Sequence, residues 1–373
     1  SAFSNAGQKC SACSLFLVEK EIYEDEKFKS KIRDAVTSMH TGSVWNPDRV
    51  VGPMVENTND KLMYAIDHLE EGESWLVAPE FLDEKKYILK PTVKWGVKPG
   101  SYTFKTELFA PLLSVVCIDN LQQGIEYVNS GEYGLTSGLQ TLDETEIKLW
   151  KDSIEAGNLY INRGITGAIV RRQPFGGMKR SAFGGGIKAG GPNYVSCFVE
   201  FTEKDITNYP VASLSVVSLL TDDKDKRRLS YALDNYKKAW DDEFSQEKDV
   251  SHIVGEINVF RYLPLKSCVV RIQKSDNLAD ILLTLSAAST SKTPVKVSVS
   301  KDDEKLSIIE KAVANMTAVS IVAQTEEQFV EQMELYERIR MCSSEIPESF
   351  YLKAAELGKH IATNKPVVEG RLE

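Results

Sequence analysis

Cys10 and Cys13 lie three residues apart in the stretch "SNAGQKCSACS" (4–14). A thiolate can act as nucleophile, metal ligand or half of a disulfide, so the pair admits three chemistries. The aromatic and proline context of a redox CxxC is missing from "CSAC". A zinc site needs a second ligand pair, but the remaining cysteines, at 117, 197, 268 and 342, are far apart. The four histidines, at 40, 68, 252 and 360, share no metal-ligand spacing. Two readings of Cys10 remain: a nucleophile on a tight turn, or a small buried residue. The run Asn5-Ala6-Gly7 allows a close backbone turn and free access for a substrate carbonyl. Its N–H groups can hydrogen-bond a developing oxyanion. The local sequence leaves both readings open.

The elements that must position this turn are legible from periodicity. "EDEKFKSKIRDAVTSM" reads as an amphipathic helix with Phe28, Ile32 and Val36 on one face, and "TNDKLMYAIDHLEE" as a second. "LLSVVCI" and "NLYIN" are buried strands, with the short helix "LQQGIEYVNS" after the first. This alternation predicts an α/β domain with a largely parallel sheet. The segment from Gly184 to Pro192 is glycine-rich and irregular, "YVSCFVEFTEKD" (194–205) reads as a long strand, and "TNYPVAS" as a linker. Residues 212–252 read as mostly helical. Then "CVVRIQ", "PVKVSVS" and "AVSIVAQ" alternate with three helices, a Rossmann-like βαβαβα pattern. Its first turn, "RIQKSDNLAD", carries neither G-x-G-x-x-G nor a P-loop. The shape is that of a nucleotide domain without the phosphate-cradling glycines.

With 373 residues the chain can hold two or three domains. The net charge of −9 argues against a nucleic-acid partner, which needs a basic face. No apolar run has the length of a membrane span, and the first residues do not read as a signal peptide. Six scattered cysteines are those of a protein in a reducing cytoplasm.

Five ordered segments carry a family resemblance. "FSNAGQKCSACS" resembles the catalytic-cysteine motif of the aldehyde dehydrogenase superfamily. "TELFAPLLSV" is similar to its E-x-F-G-P segment, and "EYGLTSGLQTLDE" to its glycine-leucine-threonine turn. "GNLYINRGITGAIVRRQPFGGMKRSAFGG" looks like its substrate-anchoring loop with the P-F-G-G stretch, and "KAGGPNY" follows. The likeness covers roughly 1–205. Within the superfamily, "CSACS", "TGAIVRRQPFGG" and "KAGGPNY" resemble L-glutamate γ-semialdehyde (Δ1-pyrroline-5-carboxylate) dehydrogenase, in particular the dehydrogenase half of bacterial proline utilization A. "GEINVFRYLP", the βαβαβα region and "KPVVEGRLE" are similar to the extra C-terminal domain of its longer members, a degenerate relative of the nucleotide domain.

The resemblance implies a catalytic domain at 1–205 with an oligomerisation strand, followed by a nucleotide-domain-like module at 206–373. It implies Cys10 as the nucleophile, with its backbone N–H as an oxyanion donor. It implies Glu107 on the nicotinamide ribose and Phe109 beside the nicotinamide of NAD. Ser11 and the backbone of Gly167 and Ala168 would take the substrate α-carboxylate, and Phe175 its aliphatic chain. By residue type alone Glu107 could be a surface carboxylate, Phe175 core and Ser11 a helix cap. Arg171 and Arg172 read as a solvated or interface pair and Cys13 as a packing residue. Ala110 stands where the family usually has glycine.

The resemblance also places the nucleotide domain, the general-base glutamate and the oxyanion asparagine before the cysteine. A proline dehydrogenase domain with FAD would lie further upstream. The expectation is a C-terminal fragment, inactive alone, that works with the upstream domains as a homo-oligomer on a small aldehyde, with no metal. The alternatives are a dehydrogenase for another aldehyde or, for 206–373, an interaction module covering the active site and a substrate tunnel.

Overall fold

A computed structural model describes residues 1–373 except 183, 203, 204 and 344. It divides into two units, Ser1–Ala182 and Phe183–Glu373. The expected α/β class holds for both.

In the first unit, β1 (Leu15–Glu19), β2 (Ser74–Val77), β3 (Thr92–Trp95) and β4 (Leu112–Ile118) form a sheet in the order β1-β4-β3-β2. β4 pairs in parallel with both β1 and β3, and β2 is antiparallel to β3. The apolar run of β4 suits a central strand: six of its seven residues are buried. α1 (Glu26–Thr37) and α2 (Asp60–Asp67) flank it, and Phe28, Ile32, Val36, Leu62 and Ala65 join its core. Side-chain caps set their starts: Asp25 accepts from Lys27 N and Asn59 from Leu62 N. α3 (Leu121–Asn129) and α4 (Glu144–Ser153) pack on each other beside the parallel pair β5 (Thr136–Leu139) and β6 (Asn158–Ile161).

Parallel pairing has a consequence for the site. Leu15 is opposite Ser114, so the segment carrying Cys10 and the segment carrying Glu107 enter the sheet at the same end.

The second unit holds α5 (Asp223–Ala239) and then a doubly wound set: β7 (Cys268–Arg271), α6 (Leu278–Ser291), β8 (Val295–Val299), α7 (Leu306–Val313), β9 (Val319–Ala323), α8 (Glu326–Gln332), β10 (Arg338–Met341), α9 (Glu348–Glu356) and β11 (Ile361–Ala362). The five strands are all parallel, in the order β9-β8-β7-β10-β11. The βαβαβα reading therefore holds and continues for two further strands. Phe329 and Phe350 lie 4.9 Å apart in its core, both fully buried.

One sequence expectation fails. The described part of "YVSCFVEFTEKD" forms a 3₁₀ turn at Val195–Phe198, not a strand, and Glu203 and Lys204 lie outside the described residues. A strand needs a ladder partner, and none lies beside the described residues of this segment. Val195, Phe198, Val199 and Phe201 are exposed. No helix among the described residues is long and apolar enough to cross a membrane.

Under the first sheet lies a buried ion pair. Lys94 Nζ meets Glu73 Oε2 at 3.2 Å, and donates to the carbonyls of Ala65 (2.8 Å) and His68 (3.0 Å) and to Thr103 Oγ1 (3.1 Å). Both side chains are 1% exposed. Lys94→Met strands Glu73 as a buried charge and is expected to cost about 3–5 kcal/mol. Adding Glu73→Gln should recover part of that loss. Urea denaturation of the wild type and the two variants checks this; equal midpoints for wild type and Lys94→Met would show that the pair carries no stability.

Candidate active site

The turn before Cys10 is wound left-handed. Asn5 (φ 55°), Ala6 (φ 53°) and Gly7 (φ 70°) follow one another with positive φ, a conformation that costs non-glycine residues. Three contacts hold it. Phe3 and Ala6 are buried in the same core as Leu108, Ala110 and Leu112. Asn5 Nδ2 donates to Gln8 O at 2.9 Å. Gly7 lies so close to the 110–111 peptide that a Cβ there would sit 2.2 Å from Ala110 O. Gln8 Oε1 then accepts from Val55 N at 2.9 Å. Cys10 and Ser11 are the central residues of the next turn, closed by Ala12 N to Lys9 O at 2.9 Å. Cys10 is exposed and Ser11 buried. Ser11 leads toward β1, so it caps no helix. Cys13 is half-buried; its thiol donates to Leu15 O at 3.2 Å, and burial pushes its pKa up to about 11.

The Gly7 contact delivers the second segment. Thr106 to Pro111 alternates: Leu108 and Ala110 are buried, Glu107 and Phe109 exposed. Phe109 has φ 51°, a strained value for a bulky residue. Ala110 O accepts from Leu112 N at 2.8 Å, and Pro111 O from Thr92 N at 2.9 Å. Those bonds tie the segment to the start of β3 and β4. Here an exposed thiol, an outward carboxylate and an outward aromatic ring are carried by two segments locked backbone to backbone.

The third segment is a loop ending in a tight hairpin. Ile169 and Gln173 exchange both backbone hydrogen bonds (3.2 and 2.7 Å), with Arg171 at φ 64° near the tip. Gly167 (φ 111°) and Ala168 are exposed on the approach to it. Ile165 N donates to Ser1 Oγ at 3.2 Å, which ties this loop to the segment leading into the Cys10 turn. Phe175 is half-buried, and its neighbours are clamped by a residue without an assigned role in the sequence reading. Asn158, at the start of β6, donates to Pro174 O (2.9 Å) and accepts from Gly176 N (3.1 Å). The preceding Gly157 lies under Gly176 O, where a Cβ would come within 1.9 Å. The sequence shows one amide at the head of an apolar strand, but not the backbone at 174 and 176 that satisfies it once buried.

Residues 1–203 match the aldehyde dehydrogenase family. The chain belongs to that family. Among curated relatives of the family, 1-pyrroline-5-carboxylate dehydrogenase of Bacillus subtilis (strain 168) is 36% identical over 197 residues, 52% of this chain and 37% of the relative. The enzyme of that name from Geobacillus kaustophilus is 32% identical over 196 residues, again 52% and 37%. The chain therefore spans little more than a third of the length of these relatives. The structure of proline utilization A from Corynebacterium freiburgense is similar over 100% of this chain and 35% of that one, with 33% identity and a TM-score of 0.77. The resemblance read from the five sequence segments is thus supported for the family and for both kinds of relative. The proline utilization A match spans the second unit as well as the first.

Thiol reactivity separates the cysteines. Burial pushes Cys13 and Cys268 up to about 11 and Cys342 to about 12. A raised pKa keeps a thiol protonated, so at pH 8 Cys13 is about one part in a thousand thiolate, and its reactivity should appear only as pH approaches 11. Iodoacetamide at neutral to mildly basic pH should label the exposed Cys10 and Cys197 and leave Cys13, Cys268 and Cys342 at least tenfold slower, read by peptide mass spectrometry. Labelling of Cys13 as fast as Cys10 would contradict the difference in burial between the two thiols.

Proposed function

We propose that the first unit carries the nucleophile and substrate-anchoring part of an NAD-dependent dehydrogenase that oxidises L-glutamate γ-semialdehyde to L-glutamate in proline catabolism. The observation that carries the proposal is the exposed Cys10 thiol on the turn that follows the left-handed Asn5-Ala6-Gly7 run, whose Gly7 is locked against the segment bearing Glu107 and Phe109. The 1-pyrroline-5-carboxylate dehydrogenases among the relatives support the substrate class.

On this reading the Cys10 thiolate attacks the aldehyde carbon, and the former carbonyl oxygen becomes an oxyanion. The Cys10 backbone N–H, presented in an exposed turn, donates to that oxygen. The thiohemiacetal collapses to a thioester as hydride leaves. NAD+, when bound, supplies the hydride acceptor. Glu107 and Phe109 fit its nicotinamide end: an outward carboxylate accepts from two vicinal ribose hydroxyls, and an outward ring offers an apolar face. Water then cleaves the thioester and frees Cys10. Ser11 and the backbone of Gly167 and Ala168 receive the α-carboxylate, where Gly167 at φ 111° lets the chain approach closely. Phe175, held by the Asn158 clamp, packs on the aliphatic carbons.

On this reading the general base and the side-chain oxyanion donor would be supplied by residues that the family resemblance places before the cysteine. A general base alone contributes about 10²–10⁴-fold. The 373-residue polypeptide by itself should therefore form no measurable NADH from glutamate semialdehyde. In the complete gene product, Cys10→Ala should abolish NADH formation, and Ser11→Ala should raise KM about ten- to hundredfold with a smaller effect on kcat, as for a lost hydrogen bond to a charged group. Turnover by the 373-residue polypeptide would refute its dependence on outside residues. Full activity of the Cys10→Ala enzyme would refute the mechanism.

For the second unit, the turn after β7 supports a module without a nucleotide site. Asp276 Oδ2 accepts from Gln273 N at 2.7 Å and Asn277 Oδ1 from Ala279 N at 2.7 Å. The chain's own side chains thus take N–H groups that a phosphate-binding turn leaves free.

A further inference from the structure

The sheet of the second unit changes winding direction between β7 and β10. In open parallel sheets, ligands bind beyond the carboxyl ends of the strands at such a switch point. At that place lies a cleft of about 730 Å³, bordered by Arg271, Gln273, Ser300, Asp303, Thr325 and Glu345.

Three of those residues bring buried polar atoms that meet no partner among the described residues: Arg271 Nε, Gln273 Nε2 and Asp303 Oδ2. Arg271 is 2% exposed and Asp303 5%. Their remaining bonds fix them in place. Arg271 Nη1 donates to Ser298 Oγ (2.9 Å) and Gln324 O (3.1 Å). Asp303 Oδ1 accepts from Lys305 N (2.9 Å) and pairs with Lys305 Nζ (3.1 Å). Buried charged groups with unfilled hydrogen-bonding capacity are costly and are normally met by something.

The chemistry of these atoms narrows what meets them. Arg271 and Gln273 offer donors for an anion; Asp303 offers an acceptor for a cation or N–H. A dinucleotide does not fit: residues 271–280 contain no glycine, Asp276 already takes the Gln273 N–H, and Glu326, Glu327 and Glu345 on the rim repel a polyphosphate. A bare divalent cation does not fit beside a buried guanidinium. We propose that this cleft binds a free α-amino acid, its carboxylate on Arg271 and Gln273 and its ammonium on Asp303. The volume leaves room for a side chain. The site is separate from the one assigned to Cys10 and does not depend on the dehydrogenase reading.

Calorimetric titration of the 373-residue chain tests this, with glycine, L-proline and L-glutamate as probes. Glutarate lacks the amine, pyrrolidine lacks the carboxylate, and NAD+ tests the nucleotide alternative. The expected result is saturable binding of at least one amino acid and none of the three controls. Asp303→Asn, nearly isosteric, should weaken that binding at least tenfold, whereas Glu56→Gln, at an exposed position of the first unit, should leave it unchanged. Because Arg271 is buried and its variants could unfold, hydrogen exchange supplies the second readout: the bound amino acid should protect residues 271–276 and 300–305. No saturable amino-acid binding, binding without protection there, binding retained by a folded Asp303→Asn chain, or binding of NAD+ in the cleft would each overturn the proposal.

Discussion

The first unit depends on one backbone contact, that of Gly7 with the 110–111 peptide. A Cβ at Gly7 would lie 2.2 Å from Ala110 O and 2.6 Å from Ala110 C, inside any tolerable separation, so only glycine lets the two segments meet. The contact explains the unusual turn before it. Asn5 and Ala6 each hold positive φ, a strain of order 1–3 kcal/mol apiece, which persists because Phe3 and Ala6 are anchored in the same core as Leu108 and Ala110. Parallel pairing of β1 with β4 completes the arrangement, since it brings both incoming segments to one end of the sheet. The exposed thiol owes its place to the packing of residues that are themselves hidden.

The same device recurs at the 174–177 stretch. Gly157 passes under Gly176 O with no space for a side chain, and Asn158 bonds backbone groups on both sides of Phe175. Side chains that could touch a substrate therefore sit on irregular backbone, and that backbone is fixed by strands. This division suits a site that must hold several atoms in register: ladders supply the rigid frame, and glycine contacts transmit it to loops. It also accounts for the substitution of Ala110 at a position that is usually glycine. The crowded partner in this chain is Gly7, and Ala110 needs only to offer its carbonyl while its methyl group enters the core.

Much of this frame was legible because periodic burial leaves a pattern. The faces of α1 and α2 and the unbroken apolar run of β4 agree with one another locally. Three features were not legible, for different reasons. β10 reads "RIRM": its buried residues, Ile339 and Met341, alternate with arginines over only four positions, too short a run to stand out. "YVSCFVEFTEKD" has a strand-like composition, but composition records apolar surface to be covered and says nothing of whether a neighbouring strand is present to pair with it. Asn158 was passed over because its role needs the 174–176 backbone, which is distant in sequence. The turn before Cys10 shows the limit most clearly. Its small residues were visible, yet the left-handed winding follows from Ala110, a hundred positions away.

The second unit shows how little a strand order decides by itself. Its five parallel strands wind as a nucleotide domain does, and the sequence alone carries that pattern. A nucleotide site, however, is made by the turn after the first strand, where bare backbone N–H groups must face a phosphate. Here Asp276 and Asn277 take those groups for the chain itself, and Arg271 is buried at the strand's end with bonds to Ser298 and Gln324. Substituting glycines into this turn would not restore a phosphate site while the Asp276 carboxylate and the acidic rim remained, because the local field would still oppose an anion of high charge. The topology survives such changes because it is held by Val269 and Ile339 of the strands with Phe329 and Phe350 of the helices, all fully buried in one core. The chemistry at the strand ends is thus free to change while the core stays constant, and function must be read from the turns.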